Sequence, residues 1–215
     1  MNAAIFDYGA GNLHSLAKAL ESAGARVAIE PDPARAAGAE LLVLPGVGAF
    51  AAAAERLEPG RERMREALAG GLPCLAVCLG MQLLFEASEE GPGRGLALLA
   101  GEVTRLAARR VPHIGWNRLD EVRDPRIAEA GLGIAYFANG YACRPRDPSC
   151  VTAWTTHEAD RFAAAVRVHS VLGVQFHPEK SSRQGLALVR AFVREAERGD
   201  RVAAGAPPGA REPRP

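Results

Sequence analysis

Four short apolar runs near the start of the chain restrict what it can fold into. They cover residues 3–6, 26–29, 40–44 and 72–77. Each is too short for a stable helix and reads as a strand. Helical patterns follow three of them. Residues 13–23 read as a helix closed by Gly24, residues 51–69 as an Ala-rich helix interrupted near Pro59-Gly60, and residues 79–87 as a third helix. Such alternation predicts an α/β fold with a doubly wound, mostly parallel central sheet. Functional groups then belong at the carboxyl ends of the strands. The second half changes character. Residues 101–106, 133–138, 151–155, 162–168 and 171–176 read as strands with hairpin-like breaks, so a mixed or antiparallel extension is expected. Residues 182–197 form an amphipathic closing helix. One domain over 1–198 is expected, and a mobile Pro/Gly/Arg-rich tail over 199–215.

Composition excludes several classes. The formal net charge is +1, which provides no overall electrostatic footprint for nucleic acid or a membrane surface. No run reaches the roughly 18 to 20 continuous apolar residues of a membrane span. The first seven residues, Met1-Asn-Ala-Ala-Ile-Phe-Asp7, lack the basic and long apolar regions of a secretory signal. Four cysteines, Cys74, Cys78, Cys143 and Cys150, are too few and too irregularly spaced for a disulfide framework. Cys74 and Cys78 have no matching His/Cys pair, so no metal site is expected. A reducing cytoplasm follows as the expected compartment. Only two of the 26 basic residues are lysines, Lys18 and Lys180, and Lys180 lies inside a motif.

The chemistry concentrates in two segments. In Leu72-Pro-Cys-Leu-Ala-Val-Cys-Leu-Gly-Met-Gln82 an apolar strand turns at Cys78-Leu79-Gly80 into a helical pattern. That places the Cys78 thiol on a strand-to-helix corner at the positive end of a helix, where a thiolate is favoured. The N–H of Leu79 would point at a developing oxyanion. Gly80 supplies the small residue the corner needs, while Ala76 adds a methyl group two residues before the thiol. Pro45-Gly-Val-Gly48, at the end of another strand, offers a second N–H. In Phe176-His-Pro-Glu179, His177 can take and return a proton and Glu179 can orient its ring. Pro178 predicts an extended link that projects both side chains to one side. The remaining cysteines, and His14, His157 and His169, stand outside any comparable motif and read as packing or surface residues.

Cys78-Leu-Gly-Met-Gln82 with His177-Pro-Glu179 resembles the class I, triad-type glutamine amidotransferases. Further motifs are similar to those of the glutaminase subunits of imidazole glycerol phosphate synthases. They are Asp7-Tyr-Gly-Ala-Gly-Asn12, Leu44-Pro-Gly-Val-Gly-Ala-Phe50, Val111-Pro-His-Ile-Gly-Trp-Asn117, Tyr136-Phe137 and Gly173-Val-Gln-Phe-His-Pro-Glu-Lys-Ser181. The resemblance covers about residues 3 to 195. It implies glutamine hydrolysis through a cysteine thioester, with Cys78, His177 and Glu179 catalytic. It implies oxyanion donors at Val47 and Leu79, and glutamine contacts at Gly46, Gln82, Asn139, Gly140 and Tyr141. It implies no cofactor, and a (β/α)8-barrel cyclase partner that receives the ammonia, with Trp116, Tyr136 and Lys180 at the interface. Read on their own, those three are two core aromatics and a solvated lysine. Two departures stand out. Ala76 replaces the usual Gly and is expected to crowd the corner, and Gly140 is expected to loosen the substrate loop. Alternative readings are the glutaminase of another synthase, or a catalytically weak regulatory subunit of the same fold. A cysteine enzyme of the α/β-hydrolase type fits less well, because its acid precedes the histidine.

Overall fold

A computed structural model describes residues 1–9 and 13–199. The first half runs β1 (Asn2–Phe6), α1 (His14–Ser22), β2 (Arg26–Glu30), α2 (Pro33–Ala36), β3 (Leu41–Leu44), α3 (Phe50–Leu57), α4 (Arg61–Ala69), β4 (Cys74–Val77) and α5 (Leu79–Gln82). The second half runs β5 (Ala87–Ser88), β6 (Gly101–Arg105), β7 (His113–Arg118), α6 (Pro125–Glu129), β8 (Ile134–Asn139), β9 (Tyr141–Pro145), β10 (Val151–His157), β11 (Asp160–Val168), β12 (Val171–Val174) and α7 (Ser182–Arg198).

Seven strands form the central sheet in the order β10-β11-β12-β4-β3-β1-β2. From β12 to β2 every pairing is parallel, and β10 and β11 add an antiparallel edge. Successive residues of a strand face opposite sides, and this sorts the core. Ile5, Leu41, Val43, Leu75 and Val77 pack with Leu16 and Leu20 of α1 and Leu188 and Phe192 of α7. Phe6, Leu42, Leu44, Cys74 and Ala76 pack with Phe50 and Leu57 of α3 and Met64 and Leu68 of α4. A doubly wound sheet is therefore what the strand runs code for. Each fully buried Leu or Phe adds about 1.5–3 kcal/mol. Two small sheets lie beside the main one, β5-β6-β9 and the hairpin β7-β8.

Several boundaries and elements differ from the sequence reading. The helix expected over 79–87 stops at Gln82. Its would-be continuation is taken by a loop: the N–H groups of Leu96, Ala97 and Leu98 bond the carbonyls of Leu83, Phe85 and Leu84 at 2.7–3.2 Å. β7, β9, α2 and α6 were not legible as elements. α6 is capped by Asp124, which accepts from the N–H groups of Arg126 and Ile127. Asp124 also meets Arg167 at 2.9 Å, and Arg167 meets Glu195 at 2.7 Å. That buried cluster joins α6, β11 and α7. Burial raises the Glu195 carboxyl above its ordinary range, against the pull of Arg167. Gly199, at φ 64°, closes α7 in the left-handed conformation that favours glycine. The rest of the expected tail, and the last three residues of the Asp7–Asn12 motif, lie outside the described residues.

Candidate active site

Cys78 sits between β4 and α5 with φ 47° and ψ −103°, a conformation that costs an L-residue of order 1–3 kcal/mol. Its own N–H bonds the Val174 carbonyl at 2.7 Å, which ties the corner to β12. The turn is tight because Gly80 lies against β3, with its N–H on the Pro45 carbonyl at 3.1 Å. A Cβ at Gly80 would collide with the Leu44 carbonyl oxygen. Leu79 is the first residue of α5, so its N–H has no acceptor within the helix.

The crowding expected from Ala76 is absent. Its backbone is regular strand, paired with Leu44 on one side and Gly173 on the other. The methyl group joins the core between the sheet and α3. The backbone strain lies at Cys78 itself.

The loop after β3 brings a second segment to the thiol. At Gly46 a Cβ would stand 2.9 Å from His177 Cε1 and 3.1 Å from Cys78 Cβ. A side chain there would push the ring and the sulfur apart. Val47 follows at a half-buried position. The Tyr8 hydroxyl donates to the Pro45 carbonyl and anchors this loop.

His177 is buried beyond the end of β12. Its Nδ1 meets Glu179 Oε1 at 2.9 Å, and the ring and Cys78 lie side by side against Gly46. The expected extended link does not form. Pro178–Lys180 is a single 3₁₀ turn, closed by the Lys180 N–H on the His177 carbonyl at 3.0 Å. The turn suits the pair better, because it folds the carboxylate back onto the ring two residues earlier. Burial disfavours the charged imidazole, but hydrogen bonds to Cys78 and Glu179, and their charges, outweigh it and raise His177 to about 9. The ring is therefore protonated at neutral pH and lies beside Cys78.

Gln82 is buried and both its amide N–H groups are engaged, with the Tyr141 carbonyl at 3.3 Å and Gln175 Oε1 at 3.4 Å. Its Oε1 is what it can offer a ligand. Asn139 donates to the same Tyr141 carbonyl at 3.0 Å. Around Gly140 the backbone is tied to β6. The Gly140 carbonyl accepts from Leu106 N–H at 3.0 Å, and Tyr141 pairs with Arg105.

Trp116, Tyr136 and Lys180 come together. The Trp116 and Tyr136 rings meet edge-on at 5.9 Å, and Lys180 Nζ stands 5.9 Å from the Tyr136 ring centre. Trp116 is 54% exposed, so it is not a core aromatic. Ile114 and Ile134 are also exposed on this hairpin. The Tyr136 carbonyl accepts from His177 N–H at 2.8 Å, which links that surface to the imidazole. Two further residues hold the site and carried no role in the sequence reading. Ser181, fully buried, accepts from Tyr136 N–H at 2.9 Å and donates to the His177 carbonyl at 2.7 Å. Gln175 donates to Cys78 Sγ at 3.4 Å. Both lie in the quoted motif, but only the packing reveals their partners. A cavity of about 470 Å³ at the opposite end of the sheet, between Met1, Pro73, Ser170 and Phe192, is lined by neither a thiol nor an imidazole.

A strained cysteine corner facing a protonated His and a Glu, at the carboxyl ends of parallel strands, is an acyl-transfer arrangement. The family described as glutamine amidotransferase class-I matches residues 4–196. A solved glutamine amidotransferase superposes with a TM-score of 0.71 at 21% identity, covering 91% of this chain and 98% of that one. PurLQS from Thermotoga maritima gives 0.63 at 20% identity, covering 90% and 97%. At those identities the likeness concerns the fold. The chain belongs to the class-I glutamine amidotransferase family.

Its curated relatives narrow the placement. The imidazole glycerol phosphate synthase subunit HisH of Pyrococcus furiosus is 43% identical over 195 residues, spanning 89% of this chain and 97% of that protein. The same subunit from Moorella thermoacetica is 46% identical over 198 residues, spanning 88% and 92%. Within the family the chain groups with these HisH subunits.

Proposed function

We propose that this chain is the glutaminase of an imidazole glycerol phosphate synthase, working in histidine biosynthesis. The observation that carries the reading is the buried His177, paired with Glu179 at 2.9 Å and placed beside Cys78 where two neighbouring parallel strands end. Cys78 Sγ attacks the side-chain amide carbon of L-glutamine. The oxyanion is held by the N–H groups of Val47 and Leu79, each at the end of a parallel strand. The carbon–nitrogen bond then breaks, and His177 gives its proton to the leaving nitrogen, releasing ammonia. Water attacks the γ-glutamyl thioester and gives its proton to His177, the carbon–sulfur bond breaks, and glutamate leaves. Glu179 keeps the ring oriented throughout. Gly46, Gln82 through Oε1, and the Asn139-Gly140-Tyr141 strand end hold the substrate.

The ammonia passes to a (β/α)8-barrel cyclase subunit, where it enters imidazole glycerol phosphate, with aminoimidazole carboxamide ribonucleotide as the second product. The exposed Ile114, Trp116 and Ile134 and the adjoining Tyr136 and Lys180 form the docking face. Aromatic and branched side chains there suit an interface core. The reaction needs no metal or cofactor, and the protein works in the cytoplasm, away from nucleic acid and membranes.

The test is reconstitution with the purified cyclase, its nucleotide substrate and glutamine. Glutamate and imidazole glycerol phosphate appear together. Cys78→Ala abolishes the glutamine-dependent reaction of the complex and leaves the ammonia-dependent one. Loss of both would make Cys78 a structural residue.

A further inference from the structure

One fully buried side chain outside the candidate triad touches the sulfur. Gln175 Nε2 lies 3.4 Å from Cys78 Sγ, and its backbone N–H is held by the Ala164 carbonyl at 2.9 Å. Its other amide atom, Oε1, accepts from Gln82 Nε2 at 3.4 Å, and Gln82 Nε2 also faces the Tyr141 carbonyl at 3.3 Å. The direction of this chain is fixed by its far end. A backbone carbonyl only accepts, so Gln82 must turn its NH₂ toward Tyr141. The second hydrogen on that nitrogen meets Gln175, which must answer with its oxygen. That leaves the Gln175 NH₂ facing the sulfur. Asn139 Nδ2, on the same carbonyl at 3.0 Å, holds the anchor in place.

We propose that Gln175 is a further catalytic residue, an amide donor to the Cys78 sulfur whose polarity is set by the Tyr141 carbonyl through Gln82. A hydrogen bond to the charged form favours that form, so the donor stabilises a thiolate. The sulfur then has two donors of different kinds. His177 gives its proton away with the leaving ammonia. The amide keeps its own. In thioester hydrolysis the carbon–sulfur bond breaks and its electron pair returns to sulfur while His177 is taking a proton from water. Gln175 is the donor that serves the departing thiolate at that moment. The relay also connects the sulfur to the strand end proposed to hold glutamine.

The inference rests on Cys78 being the nucleophile, and the experiment separates the two. The rate of Cys78 alkylation by iodoacetamide is followed against pH on the full chain, with mass spectrometry identifying the modified cysteine. Gln175→Met keeps the volume and removes the donor. Its alkylation midpoint rises by roughly half a unit to one unit, about three- to tenfold slower reaction below both midpoints. A merely structural role would lower the melting temperature and leave the midpoint in place. A wild-type midpoint well below the roughly 8.5 of a free cysteine, left unchanged in a folded Gln175→Met, overturns this inference and spares the nucleophile. A wild-type Cys78 that reacts no faster than an ordinary thiol overturns the nucleophile reading as well. Should Gln175→Met fail to fold, Gln175→Asn, one methylene too short to reach the sulfur, gives the same upward shift or refutes the proposal.

Discussion

Replacing Glu179 by glutamine isolates the charge that sets the state of His177. Burial alone would take this ring below the ordinary 6.5, yet its bonds to Cys78 and Glu179 raise it to about 9. The difference of about 2.5 units corresponds to roughly 3 kcal/mol, and the two partners supply all of it besides offsetting burial. Gln at position 179 keeps an acceptor for Nδ1 and removes the negative charge. If Glu179 carries at least a third of the combined effect, the midpoint falls by about one unit or more, to roughly 8 or lower. NMR titration of the His177 ring measures this, with the resonance identified by its loss in His177→Asn. A midpoint within about 0.3 unit of wild type would refute the assignment of Glu179 as the charge behind the shift. The sign for stability follows. A group raised on folding stabilises fully below its unfolded value, here 6.5, and the contribution is lost as pH rises through about 9. Wild type therefore loses on the order of 3 kcal/mol between about pH 6 and pH 10 in urea unfolding through this group, and Glu179→Gln loses about 1 kcal/mol less.

Other perturbations have defined outcomes. Gly80→Ala drives a methyl group into the Leu44 carbonyl and should cost about 3 kcal/mol or more by denaturant midpoint, whereas Gly140→Ala, with only ordinary contacts to Val111 and Pro112, should change stability by less than about 1 kcal/mol. Arg167→Ala removes the cation shared by the buried carboxylates of Asp124 and Glu195, leaving Glu195 with Arg126 at 3.0 Å and Asp124 with none among the described residues, and should destabilise by about 3 kcal/mol at neutral pH. Trp116→Ala should weaken association with the cyclase by about 2 kcal/mol or more, roughly thirtyfold in Kd by calorimetry, if the exposed hairpin face is the docking surface.

The sequence was most legible where local pattern and burial agree. Apolar runs such as Leu41–Leu44 exclude anything but a buried strand, and the Cys78 corner announces itself by a thiol between a strand and a helix. It was least legible where partners come from far along the chain. β7 and β9 carry mixed burial patterns and form only because β8 and β6 are there to pair with them. α5 ends early because residues 96–98 claim carbonyls along its expected continuation. Taken alone, Trp116 could be a core aromatic, and only the placement of its hairpin outside the main sheet leaves it exposed.

By itself, the sequence determined the seven strands of the central sheet, the thiol on its corner and the presence of an imidazole and a carboxylate two residues apart. Those are local properties of residue type and spacing. Tertiary structure alone decided that Cys78 and His177 meet. β4 and β12 are neighbours in the sheet, paired from Cys74 with Val171 to Val77 with Val174, so both chains leave it at the same end. It also decided that the strain falls on Cys78 rather than Ala76, and that Gln175 points its amide at the sulfur. Those depend on the direction of hydrogen bonds between segments almost a hundred residues apart, which no local pattern encodes.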